Sequence, residues 1–312
     1  MCPSKPQMRR LARWAWVLSL LCLAAAGRAV AAEVAVVKSS DIAAWRPAID
    51  ALRRVSAAHT ITEYDLRNDR GTADSVLARL KGRNVIVVAM GPLAAQLVRS
   101  TLPETPLVFA MVQEPAKLGL APGPTVTGVT FAIPVKNQLA AFRMVNPKGV
   151  RIGVIYKEEN SGRYVEEAIK AASLLRVVMV TRAITSERDI PVALRSLLAG
   201  DEAIDALWIP PDPVLLGDDT RRFLLAEMFK AGRAVYGSSS GLVAEGALVS
   251  NGPDLVSIGE QVGELVNRLA AGERARIELL VPRAELVINK KIAGRLKIDV
   301  SADVLKAANK VF

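Results

Sequence analysis

The chain of 312 residues has two cysteines, a single histidine and only 4% aromatic residues. Both cysteines, Cys2 and Cys22, sit in the first stretch of the chain. If that stretch is removed, neither a disulfide nor a thiol remains, and stability must come from packing alone. The lone His59, with no other histidine and no later cysteine to join it, argues against a transition-metal site, so no metal and no cofactor is expected. No Gly-rich loop with the lysine of a nucleotide-binding P-loop occurs. Long hydrophobic runs are scarce as well: the one from Trp14 to Ala26 is shorter than the roughly 20 residues that span a bilayer.

That run has the marks of an export signal. Lys5, Arg9, Arg10 and Arg13 precede it, and Ala29-Val30-Ala31 forms a small-x-small cleavage site, so residues 1–31 read as a secretory signal peptide and the protein as periplasmic. An uncleaved anchor and a lipoprotein are the alternatives, but Leu21 stands where a small residue should precede a lipidated Cys22. Losing the leader also removes Lys5, Arg9, Arg10, Arg13 and Arg28, which lowers the formal charge from +10 to +5. Such a surface is ordinary for a soluble protein and gives no reason to expect nucleic acid as a partner.

The remainder alternates strands and helices. Asn84-Val85-Ile86-Val87-Val88-Ala89 is apolar without polar alternation, as in parallel strands covered on both faces. Glu33 to Lys38, Thr60 to Leu66 and Pro106 to Ala110 read as further strands, and Ser39, Ser40 or Asp41 as the cap of a helix beginning near Ile42. A second series starts at Arg151-Ile152-Gly153-Val154-Ile155-Tyr156, with a helix over 162–174, and continues through Asp205-Ala206-Leu207-Trp208-Ile209-Pro210, Ala234-Val235-Tyr236-Gly237 and Ala247-Leu248-Val249-Ser250. Glu285-Leu286-Val287-Ile288-Asn289 reads as a strand that returns to the first lobe. The fold class is therefore α/β: two Rossmann-like lobes with parallel sheets joined by hinge strands. The expected division is residues 32–127 plus about 283–312 for the N-terminal lobe and 128–282 for the C-terminal lobe, with hinges near Gly128 and Val281-Pro282.

The second half resembles the ABC transporter substrate-binding family of the tryptophan and tyrosine type, built on the type I periplasmic binding protein fold. The resemblance is carried by Arg151 to Tyr156 with Asn160-Ser161, by Pro210-Pro211-Asp212, by Val235-Tyr236-Gly237-Ser238-Ser239 with Glu245-Gly246-Ala247-Leu248, and by Glu285 to Asn289. Val126-Thr127-Gly128-Val129 also fits. The first half departs from the family pattern, with Met90-Gly91-Pro92 in place of glycine-threonine-proline and Gln113-Glu114-Pro115 in place of serine-aspartate-proline.

In such a fold, ligands bind at the carboxyl ends of the strands, where helix N-termini offer free N–H groups. The candidate ligand-binding residues are Ser40, Met90, Gly91, Gln113 and Glu114 from the first lobe and Tyr156, Asn160, Ser161, Asp212, Ser238 and Ser239 from the second. Asn160 and Ser161 could hold a carboxylate or serve only as a helix cap. Asp212, between Pro211 and Pro213, could pair with a ligand ammonium group or be a solvated turn residue. Gly237-Ser238-Ser239-Ser240-Gly241 matches the nucleophile elbow of α/β-hydrolases, but in that fold the histidine follows the serine, whereas His59 lies far upstream. No enzyme is expected.

The resemblance implies an exported binding protein that captures a small ligand, an amino acid or related small carboxylate, between two lobes and delivers it to an ABC permease. The alternative is a periplasmic sensor that reports to a membrane receptor or sensor kinase. Trp45, Phe131 and Tyr156 are the available aromatic walls, so an aromatic amino acid is one option only. A monomer is expected.

Overall fold

The computed structural model describes residues 31–200, 203–273 and 277–312. Cys2, Cys22 and the expected signal peptide, save its last residue, lie outside the described residues. Among the described residues no helix is long and apolar enough to cross a membrane.

The first sheet has the order β2-β1-β3-β4-β5, all parallel, from β1 (Glu33–Lys38), β2 (Thr60–Asp65), β3 (Val85–Met90), β4 (Leu107–Val112) and β5 (Val126–Thr130). Its central strands are apolar throughout because both faces are covered. Ala35, Val37, Val85, Val87 and Ala89 face α2 (Arg70–Leu80) and α3 (Pro92–Thr101). The alternate residues Val34, Val36, Ile86, Val88 and Met90 face α1 (Arg46–Val55) and a late helix, α9 (Leu255–Ala270). The expected cap of the first helix is absent: a 3-10 turn, Ala43–Trp45, runs into α1 without a side-chain cap.

The second sheet has the order β12-β11-β10-β9-β8-β6-β7. Its parallel strands are β6 (Arg151–Lys157), β7 (Val178–Ile184), β8 (Ala206–Ile209), β9 (Ala234–Gly237) and β10 (Val249–Pro253). β11 (Ala284–Ile288) pairs antiparallel with β10, and β12 (Lys310–Val311) lies parallel to β11. The helices of this lobe are α4 (Val135–Val145), α5 (Glu158–Leu174), α6 (Ile190–Leu198), α7 (Asp218–Lys230), α8 (Ser240–Glu245), α10 (Lys290–Arg295) and α11 (Ala302–Ala307). Phe142 of α4 stacks on Tyr236 of β9 at 4.7 Å, and the buried Asn146 donates to the Tyr236 hydroxyl at 3.0 Å.

These pairings correct the expected division. Residues 283–312 do not return to the first lobe, since β11 and β12 extend the second sheet. The returning element is α9, and Leu280 continues it by bridging Val129 at the edge of β5. The boundary at 127/128 falls inside β5. Alternation of apolar residues shows which faces of a strand are buried, not which sheet it joins. The chain thus passes between lobes three times: after β5, after β10 and before β11.

The α1–α9 contact depends on glycine. A Cβ on Gly259 would lie 2.0 Å from the Ala48 carbonyl oxygen, and one on Gly263 would lie 2.7 Å from Val55 Cβ. The approach lets Ser56 donate to the Gly263 carbonyl at 3.3 Å and Asn267 to that of Val55 at 3.1 Å.

Candidate functional site

Both sheets bring their carboxyl edges toward each other. Arg163, early in α5 of the second lobe, lies 3.9 Å from Glu114, which follows β4 of the first lobe. Most of the sequence-selected residues lie along these two edges.

On the first lobe, Met90 and Gly91 form the turn from β3 into α3. Gly91 has φ +90, and a Cβ there would lie 2.7 Å from Ser39 Oγ and 2.8 Å from Trp45 Cη2. Only glycine suits both the backbone and the space. Ser39, expected only as a possible cap of the first helix, is buried and accepts from the Ala94 N–H at 3.0 Å, so it holds the start of α3 instead. Its neighbour Ser40 is half-buried at the strand end.

Lys38 is a buried group that sequence reasoning missed. Its Nζ lies 2.5 Å from Asp41 and 3.0 Å from Glu63. Burial lowers its pKa, but the hydrogen bonds and charges of Asp41 and Glu63 outweigh that, and the net shift is upward. The hydrogen bond from Lys38, with its charge, holds Asp41 below the usual carboxylate range.

At the end of β4 the buried Met111 has φ +59, and the register with β5 shifts between Phe109 and Val112. Such a bulge re-aims the residues beyond it, here Gln113 and Glu114. Gln113 is exposed, whereas Glu114 meets both Lys117 at 2.7 Å and Arg163.

On the second lobe Asp212 is fully buried and its carboxylate is occupied by the protein itself. Asn160 Nδ2 and the Val214 N–H donate to Oδ1, each at 3.0 Å. The Lys157 N–H at 3.0 Å and Ser161 Oγ at 2.9 Å donate to Oδ2. Four donors fill the lone-pair positions of a carboxylate, so Asp212 is neither open to a ligand ammonium group nor a solvated turn residue: it clamps the β6–α5 turn to the loop after β8. α5 begins at Glu158 rather than at 162, which puts Asn160 and Ser161 inside its first turns and not ahead of them. Its dipole is already met by Glu158 and Glu159.

Tyr156 is half-buried, and its pKa is raised by burial and then by Glu158, which also hydrogen-bonds to it. Ser238 is half-buried and Ser239 exposed; Ser239 precedes α8 without a side-chain cap. His59 lies at the opposite, amino-terminal edge of the first sheet, where it accepts from the Ala32 N–H at 3.3 Å and contacts Asn267 at 3.0 Å. The elbow-like serines and the histidine are not brought together.

The rim is therefore a surface of internally paired charges with neutral polar groups between them. Among the described residues, the side chains of Ser40, Gln113, Ser238 and Ser239 have no hydrogen-bond partner, which leaves three serine hydroxyls and the Gln113 amide exposed or half-exposed along the rim. Among those residues, no group of three histidine, cysteine, aspartate or glutamate side chains could hold a metal ion.

A profile of the ABC transporter substrate binding protein family matches residues 30–312. No curated protein matches the chain. Among solved structures, an ABC domain in complex with L-Trp from Streptococcus pneumonia is 23% identical with a TM-score of 0.70, over 90% of this chain and 100% of that one. The ligand-free, open structure of a substrate binding protein with adhesive properties from Clostridium difficile is 18% identical with a TM-score of 0.79, over 90% and 99% of the two chains. A periplasmic ribose ABC transporter protein from Conexibacter woesei is 13% identical with a TM-score of 0.62, over 91% and 100%. At these identities the structures share the fold.

Proposed function

Since the chain belongs to the ABC transporter substrate-binding protein family, we propose that it is exported, captures a small ligand between its lobes and presents the closed form to an ABC permease. The observation that carries the reading is the meeting of two parallel-sheet carboxyl edges across three chain crossings, with Glu114 and Arg163 in reach of each other. Ligand that contacts both edges binds the closed arrangement more tightly and shifts the population toward it. The segments after β5 and before β11, together with the passage at Asp254, are the hinge.

The ligand class we propose is an amino acid or related small carboxylate held in the cleft. The supporting points are the L-Trp complex of the pneumococcal relative and the neutral hydrogen-bonding groups of this rim. Ser40, Gln113, Ser238 and Ser239 supply those contacts directly, Gly91 and Tyr156 shape the walls, Asn160, Ser161 and Asp212 position the α5 edge, and Met90, buried against α1 and α9, supports the turn from within the core. Thermal unfolding against a panel of amino acids, small carboxylates, purines and sugars tests the reading. A ligand bound only by the folded state stabilises by about 2.7 kcal/mol at a hundredfold excess over Kd. A midpoint rise with the amino acid or carboxylate group is expected; a rise only with purines or sugars overturns the ligand class, and no rise at all overturns the capture role.

A further inference from the structure

A groove of about 540 Å3 opens on the second lobe between α7, α8 and α10, and none of the residues at the cleft rim lines it. Its volume lies in the range of small-molecule sites. We propose that it is a second binding site, for an organic anion with an apolar body such as an aryl or short-chain carboxylate. Arg295 receives the carboxylate, and Leu225, Phe229 and Ile292 receive the body.

The charges of the groove support an anion rather than a cation. Its two carboxylates, Asp218 and Glu245, are both held by Arg221, at 3.0 Å to Asp218 and at 2.9 and 3.0 Å to Glu245. Arg221 also donates to the Leu216 carbonyl at 2.5 Å, so both acidic groups in the lining are tied down by one fixed guanidinium, and Arg222 and Arg295 leave the lining with more positive than negative groups. Arg222 also lines the groove and pairs at 3.1 Å with Asp219, which does not.

Arg295 forms no ion pair among the described residues; its guanidinium lies 5.9 Å over the Phe229 ring. An arginine laid over an aromatic face keeps its planar fork free for a carboxylate. Lys290 and Lys291 on the same helix add positive potential. Phe229 is 42% exposed, so the apolar floor is open to a ligand.

The test uses 3-phenylpropionate and its neutral counterpart 3-phenylpropanamide with the isotope-labelled protein, followed by amide NMR. Shifts at Leu225, Phe229 and Ile292 are expected with the carboxylate. The amide, and the Arg295→Gln variant with the carboxylate, should each bind about tenfold more weakly, as loss of one charge-assisted contact implies. Phe229→Ala should weaken both probes alike. Because shifts at Gln113, Tyr156 and Asn160 report the cleft separately, failure at one site does not carry over to the other. Absence of groove shifts at saturating probe, or unchanged affinity in Arg295→Gln with an otherwise native spectrum, overturns the proposal.

Discussion

Ser161 Oγ donates to Asp212 Oδ2 at 2.9 Å, and both side chains are buried. With the three other donors to Asp212, this bond makes the carboxylate a brace between two strand ends of the second lobe. Asp212→Asn replaces an acceptor oxygen by a donor and sets it against N–H and O–H groups. A loss of about 1–3 kcal/mol of folding stability is expected. Ser161→Ala should cost less, since the buried carboxylate keeps its other donors. Urea unfolding measures both, and unchanged stability in Asp212→Asn rules out the brace.

Gly259→Ala tests how closely α9 is seated on the first lobe. A Cβ placed 2.0 Å from the Ala48 carbonyl forces the helices apart, because backbone cannot yield as a side-chain tip can. Overpacking of this kind typically costs about 1–3 kcal/mol. Gly294 of α10 is the control: nothing lies within 4 Å of a Cβ there, so Gly294→Ala should be neutral or slightly stabilising. Equal midpoints for the two variants in denaturant would show that the α1–α9 contact is looser than described.

The parts of this fold legible in the sequence are those where local pattern decides the outcome. β3 and β4 are buried at every position, and their apolar runs announce it. β7 went unread because it is an edge strand whose Val178 is half exposed and whose Arg182 points to solvent-facing partners, which blurs its period. The start of α5 carried a usable signal, the acidic pair Glu158-Glu159 in a first turn. Seating α9 on the other lobe left only the spacing of Gly259 and Gly263 as a trace. At the site, strand ends were legible but partnership was not. The donors to Asp212 at Ser161 and Asn160 stand 51 and 52 residues away in the chain. A shift of one residue also separates the half-buried Ser40 from the buried Ser39 that holds α3.

The contact between Arg163 and Glu114 joins the lobes, so its removal should favour the open arrangement. The pair is exposed, and Glu114 has Lys117 as a second partner, so the effect is limited to about 0.2–1 kcal/mol. Arg163→Ala is expected to raise the radius of gyration of the ligand-bound protein in solution scattering slightly, and to weaken ligand by a few fold at low salt. The exchanged pair, Glu114→Arg with Arg163→Glu, should restore much of it. A salt-independent loss that the exchange fails to repair would assign Arg163 to direct ligand contact instead.

Lys38, Asp41 and Glu63 link stability to pH at the end of β1. Burial raises the pKa of Glu63, but hydrogen bonds from Arg53 and Lys38 outweigh it, so the folded value lies below 4.5. That contribution is present above the unfolded value and is lost as pH falls through the folded one. Lys38 has the opposite sign: its folded value lies above 10.5, so its contribution is present below that and lost as pH rises through the folded value. The pair therefore contributes fully between pH 4.5 and 10.5. Lys38→Met should cost about 1–2 kcal/mol at neutral pH, the smaller side of a charged hydrogen bond's worth because Arg53 still holds Glu63 at 2.7 Å. The gap between wild type and variant, measured by urea unfolding, should narrow as pH falls below 4.5 and Glu63 takes up its proton in both proteins. A gap that stays constant into acid would mean that Lys38 stabilises through the packing of its methylene chain and not through its charge.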